Sequence, residues 1–168
     1  AVHYRTDSIA KMRPTLFNLC LFIINTNFYR AERIEKIVDI NGNGDVIVVG
    51  AYGGNYVSVC DFSNNDWVRR QRIDGDDGTY FGASVGLSSD ALRLIVGADF
   101  TNNKKGKVFA YALDSFLKVL EWNGDADNDQ FGWSVAVSYD GHVIAVGAWK
   151  DYVKLYVSTT EARTEYTQ

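Results

Sequence analysis

Proline, histidine and cysteine are scarce in this chain: one, two and two residues among 168. Cys20 and Cys60 stand alone, as do His3 and His142, and no C-x-x-C spacing occurs, so the ligands of a structural zinc site are missing. The cysteines could form one disulfide in a secreted protein, but both lie in apolar stretches, where buried free thiols are the expectation. Long basic runs are absent too. Seventeen Lys and Arg against 21 Asp and Glu give a net charge of −4, which offers no electrostatic footprint for nucleic acid or an anionic membrane. There is no G-x-S-x-G elbow and no G-x-x-x-x-G-K-[ST] phosphate loop, and no Ser or Cys can be tied to His142. An enzyme is therefore not expected. The apolar run Leu16 to Ile24, broken by Asn18, is too short to span a bilayer. Its length suits a signal-peptide core, yet eleven residues precede Met12 and no A-x-A site follows, so a buried strand or short helix is the preferred reading.

What is plentiful points to strands. Fifteen Gly and a 14% aromatic content suit short strands with tight turns, and 46% hydrophobic residues over this length suffice for one core. The segment "FGWSVAVSYDGHVIAVGA", Phe131 to Ala148, repeats "FGASVGLSSDALRLIVGA", Phe81 to Ala98, with nine of eighteen positions identical. A weaker third copy, "VDINGNGDVIVVGA", runs from Val38 to Ala51. The anchor glycines Gly50, Gly97 and Gly147 are 47 and 50 residues apart, the period of a propeller blade.

Within a unit the first strand alternates bulky and small residues: Ala83, Val85 and Leu87 against Ser84, Gly86 and Ser88, matched by Trp133, Val135 and Val137 against Ser134, Ala136 and Ser138. A small face lets the next sheet approach closely. The second strand, "LRLIVGA" or "HVIAVGA", is nearly continuous in apolar residues and reads as covered on both sides. Between the two, Asn43-Gly44, Asp90-Ala91 and Asp140-Gly141 predict two-residue type I′ hairpins. A third strand and a charged fourth strand complete a meander. Gly97 and Gly147 end central strands where a side chain would meet the next sheet.

The pairs Phe81-Gly82 with Gly97-Ala98, and Phe131-Gly132 with Gly147-Ala148, make the chain resemble the FG-GAP repeats of integrin α-type β-propellers over about residues 34 to 157. The first unit has Ile34-Glu35 where Phe-Gly would stand. The expected fold is all-β, a partial β-propeller of four-stranded antiparallel blades. It would comprise an N-terminal segment (1–33), a degenerate first blade (34–80), a second blade (81–130) and an incomplete third blade with tail (131–168). In the same register, Leu19 to Asn25 could be the outer strand of a preceding blade.

The resemblance implies a non-catalytic protein-interaction or adhesion-type module, or a structural subunit of a larger assembly, in an extracellular or lumenal setting. Its partner would be another protein, the remaining blades or a second copy. The alternative is a fragment of a larger extracellular enzyme or a carbohydrate-binding propeller. The resemblance also implies calcium loops of the form D-x-D-x-D-G-x-x-D. Only Asp39, Asn41, Asn43 and Asp45 keep a trace of one, and an Asx-rich turn accounts for them as well. The acidic stretches Asp74 to Gly78 and Asn123 to Asp129 read in the same way as solvated interblade loops. Tyr80, Phe81, Trp122, Phe131, Trp133 and Trp149 could stack on sugar rings, though at repeat positions they are expected to pack the core.

Overall fold

A computed structural model describes residues 36–160, 163 and 165–168. The apolar run Leu16 to Ile24 and the readings placed on residues 1–33 lie outside the described residues. Three four-stranded sheets follow one another along the chain, each an antiparallel meander in consecutive order. The first holds β1 (Lys36–Ile40), β2 (Val46–Ala51), β3 (Tyr56–Ser63) and β4 (Asp66–Asp74). The second holds β5 (Ser84–Leu87), β6 (Arg93–Ala98), β7 (Lys107–Ala112) and β8 (Leu117–Asn123). The third holds β9 (Ser134–Val137), β10 (Val143–Gly147), β11 (Val153–Ser158) and β12 (Tyr166–Thr167). The third sheet, expected to be incomplete, thus has a fourth strand. It is only two residues long, pairing Thr167 with Val157 and Tyr166 with Ser158.

The central strands β2 and β6 are buried at every position, as their unbroken apolar sequence requires of a strand covered on both faces. By contrast β4 runs Asp66-Trp67-Val68-Arg69-Arg70-Gln71-Arg72 and is largely exposed, the composition of a protected edge. Sheets pack face to face. Val46, Val48, Val57 and Val59 of the first meet Phe81, Val85 and Leu87 of the second. Ile95, Val108 and Ala110 of the second meet Phe131, Ile144 and Val146 at the third. Each fully buried Val, Leu, Ile or Phe side chain among these contributes about 1.5–3 kcal/mol of transfer free energy.

The turns joining first to second strands are wider than the expected type I′ hairpin. That turn requires positive φ at two successive residues, yet only the second residue of each pair has it: Gly44 (74°), Ala91 (56°) and Gly141 (70°). Side chains close the loop instead. Ser88 Oγ donates to Asp90 Oδ1 (2.6 Å) and accepts from Arg93 N (2.9 Å), while Asp90 Oδ1 accepts from Leu92 N (3.0 Å). Ser138, Asp140, His142 and Val143 repeat this pattern bond for bond. In the first sheet Asn41 takes the place of the serine, accepting from Val46 N (2.9 Å). Short polar side chains that bond nearby amides offer the backbone this alternative to a tight hairpin. The loops also join the sheets, through Gly42 N to Ser89 O (3.1 Å) and Ser89 N to Tyr139 O (2.9 Å).

Cys60, on β3, is fully buried but is not a free thiol: it is disulfide-bonded. The local apolar sequence argued for a free thiol because it reports burial and says nothing of a distant partner.

Candidate functional site

The repeat anchors are joints between sheets. Phe81 and Phe131 are buried in the interfaces, and Gly82 and Gly132 adopt φ of 89° and 90°, a region that favours glycine. Ser84 Oγ, on the small face of β5, donates to Gly132 O (2.7 Å) across the joint. A Cβ on Gly50 would run into the carbonyl oxygen of Gly82, and one on Gly97 into that of Gly132. Gly147 differs. Every nearest atom around its Cβ position belongs to Ser134 of its own sheet, so the expected clash with a following sheet does not arise there. Ala98 is fully buried and Ala148 packs at the edge of the second interface.

At the other end of the sheets from the serine loops, the β2–β3, β4–β5 and β6–β7 connections gather around a cleft of about 400 Å³. Its walls are Ile37, Tyr52, Tyr80, Ala83, Phe100 and Trp133, and Asp99 lies among them. Tyr80 has φ of 56°, uncommon for an aromatic residue, and this turns it onto Phe100, with which it stacks at 4.0 Å. Tyr52 leans on Tyr80 at 5.3 Å, and Trp133 makes an edge contact with Trp149 at 4.6 Å. Asp99 is only 2% exposed, and its Oδ1 has no hydrogen-bond partner. No cation pairs with it among the described residues, and burial pushes its carboxyl up to about 6. Lys104 rests on the ring of Phe100, 4.8 Å from its centre.

Residues 123–157, which span β9, β10, most of β11 and the approach to them, match the FG-GAP repeat model. The chain carries an FG-GAP repeat. No curated protein matches the chain. Among solved structures, it is similar to the Cps50 (Swd1) β-propeller domain of Myceliophteria thermophila, with 16% identity and a TM-score of 0.58 over 78% of this chain and 36% of that one. A candidate 6-phosphogluconolactonase from Bacteroides fragilis gives 14% identity and 0.58 over the same shares. One from Bacteroides uniformis gives 13% and 0.60 over 77% and 37%. At such identities the likeness shows the fold alone, a partial β-propeller, and the chain spans little more than a third of those propellers.

In the first FG-GAP-like unit two of the four residues considered for calcium, Asn41 and Asp45, bond to each other. Asn41 Oδ1 accepts from the amides of Asp45 (3.0 Å) and Val46, and Asn41 Nδ2 donates to Asp45 Oδ1 (2.7 Å). The Asp39 carboxylate instead accepts from Ile40 N (2.9 Å) and, across the joint, from Leu87 N (2.8 Å). Asn43 is exposed. In the acidic stretch before Phe131, Asp129 accepts from Ala126 N (2.8 Å) and Tyr152 Oη (3.1 Å), and the Ala126 amide leads the effects that hold its carboxyl below the usual range. Among the described residues no three His, Cys, Asp or Glu side chains are grouped to hold a metal.

Of the aromatic residues singled out by sequence, Phe81 and Phe131 are core, Trp122 stacks on Tyr156 at 4.5 Å, and Tyr80 and Trp133 line the cleft. Asp99, Phe100 and Tyr52 escaped sequence reading. One signal was present: an acid directly after Gly-Ala, where the other units have Tyr52 and Trp149.

Proposed function

We propose that the chain is a non-catalytic interaction module, a three-blade segment of an FG-GAP propeller that acts outside the cell or in a lumen and is completed by further blades of the same kind. The observation that carries this reading is the open outer face of the third sheet. Val57 and Val59 of the first sheet and Val108 and Ala110 of the second are fully buried against the next sheet. The register places Val153 and Leu155 at the same positions of the third, and they are 65% and 55% exposed. Ser134, which corresponds to the joint-forming Ser84, is exposed beside them. An apolar face built on the pattern of two closed joints supports a third joint, with a Phe-Gly carbonyl as the acceptor for Ser134. The disulfide at Cys60 supports an oxidising compartment. The Ser88 and Ser138 hydroxyls that meet carboxylates each also accept from a backbone amide and so close their own loops, which favours binding over catalysis.

Light scattering on the purified, folded chain tests the reading. Association that rises with concentration is expected, because an isolated segment would satisfy the open face with copies of itself. A folded chain that stays monomeric at high concentration would contradict it. A second reading, carbohydrate binding, is favoured by the exposed pair Trp133 and Trp149. It requires glycan-array binding that Trp149→Ala abolishes, and no glycan binding in the intact chain would dismiss it.

A further inference from the structure

We infer that the cleft at Asp99 takes an organic ammonium group, its N–H donors on the Asp99 carboxylate and its hydrocarbon stem against Tyr80, Phe100 and Trp133. The inference deepens the interaction-module reading and rests on it. One carboxylate oxygen of Asp99, Oδ1, is buried without a hydrogen-bond partner, which is destabilising unless something supplies a donor. Serine, asparagine or an apolar residue would serve the fold better at this position, as Tyr52 and Trp149 do in the sister units. The fold therefore retains a cost that a bound cation removes, a pattern typical of sites kept for function.

The walls narrow the chemistry. Faces of Tyr, Phe and Trp attract cations and accept the apolar carbons next to the nitrogen. A hard metal ion would need six or more oxygen ligands, and this cleft offers one carboxylate among rings. Anions are repelled by Asp99. The volume of about 400 Å³ admits a group the size of a lysine side chain. Lys104 of the chain sits on the Phe100 ring, and among the described residues no cation pairs with Asp99, so its buried Oδ1 is left without a donor.

The test titrates the intact chain with n-butylammonium, following tryptophan fluorescence because Trp133 lines the cleft, with n-butanol and butyrate as matched neutral and anionic probes. Saturable binding in the millimolar range is expected, roughly tenfold or more weaker in Asp99→Asn, a variant checked for folding by circular dichroism. Equal binding by the variant, equal binding of n-butanol, or no saturation would overturn the inference. A peptide with a single lysine that competes and binds more tightly than n-butylammonium would assign the ammonium to a protein partner. If free amines bind but no lysine peptide does, the cleft assignment stands while the protein-interaction reading fails. An interaction with a protein partner that survives Asp99→Asn unchanged leaves the module reading intact and overturns the role of the cleft.

Discussion

At Asp99 the dependence of stability on pH runs opposite to that of an ordinary paired carboxylate. Its folded pKa of about 6 lies above the usual 3.8, so between those values the folded state holds the proton more tightly than the unfolded one. Protonation stabilises the fold, and the contribution is lost as pH rises through about 6. Asp99→Asn mimics the protonated form. It should raise the melting temperature at pH 7, by an amount corresponding to on the order of 1–2 kcal/mol, and change it little at pH 4. Thermal melts of both proteins across that range check this, and a variant less stable at pH 7 would contradict it. In "VGADFT" only the acid directly after Gly-Ala hints at such a residue, because the lack of a donor at Oδ1 is a fact of the tertiary structure. The glycines make the same point. Gly97 and Gly147 share the context Val-Gly-Ala, yet a side chain on Gly97 meets backbone that cannot step aside, whereas one on Gly147 meets a serine hydroxyl that can rotate. Gly97→Val should cost about 1–3 kcal/mol or prevent folding, and Gly147→Val under about 1 kcal/mol. Equal losses in denaturant unfolding would be the contrary result.

The strands were readable because period-two alternation and unbroken apolar runs are written locally, and the three central strands fall where those patterns lie. Their turns were misread for a physical reason. Asp-Gly and Asn-Gly tolerate both a type I′ hairpin and a wider loop, and the choice is made two residues earlier by Ser88, Ser138 or Asn41, whose side chains capture the backbone amide on the far side. Ser88 is fully buried, so Ser88→Ala leaves Arg93 N and the Asp90 carboxylate each short of a bond and should cost about 1–3 kcal/mol. Ser138 makes the same bonds in a more exposed loop, where water can replace them, and Ser138→Ala should cost distinctly less. The matching loop of the first unit is already held by hydrogen bonds between Asn41 and Asp45. A chelator should therefore leave the melting temperature unchanged. A fall that added calcium reverses would support the metal reading.

At the scale of the molecule, the joints dictate what the chain can do. Two are closed by the same devices: a Phe ring buried in the interface, a glycine carbonyl fitted against a facing glycine, and an apolar third strand covered by the next sheet. A repeat of this kind gains its stability from neighbours, so on the proposed reading the bare joining face of the third sheet is where a further sheet would dock. The sequence displayed the repeat clearly but could not show which copy of the motif faced another, since Ser84 and Ser134 differ only in what lies opposite. Leu155→Asp separates the two properties. Leu155 is exposed, so the substitution should change the stability of the isolated chain by no more than about 0.5 kcal/mol. It should nonetheless abolish concentration-dependent association, because docking a further sheet would bury an unpaired carboxylate. Loss of stability without loss of association would mean that Leu155 belongs to the core of its own sheet and that the contact between copies lies elsewhere.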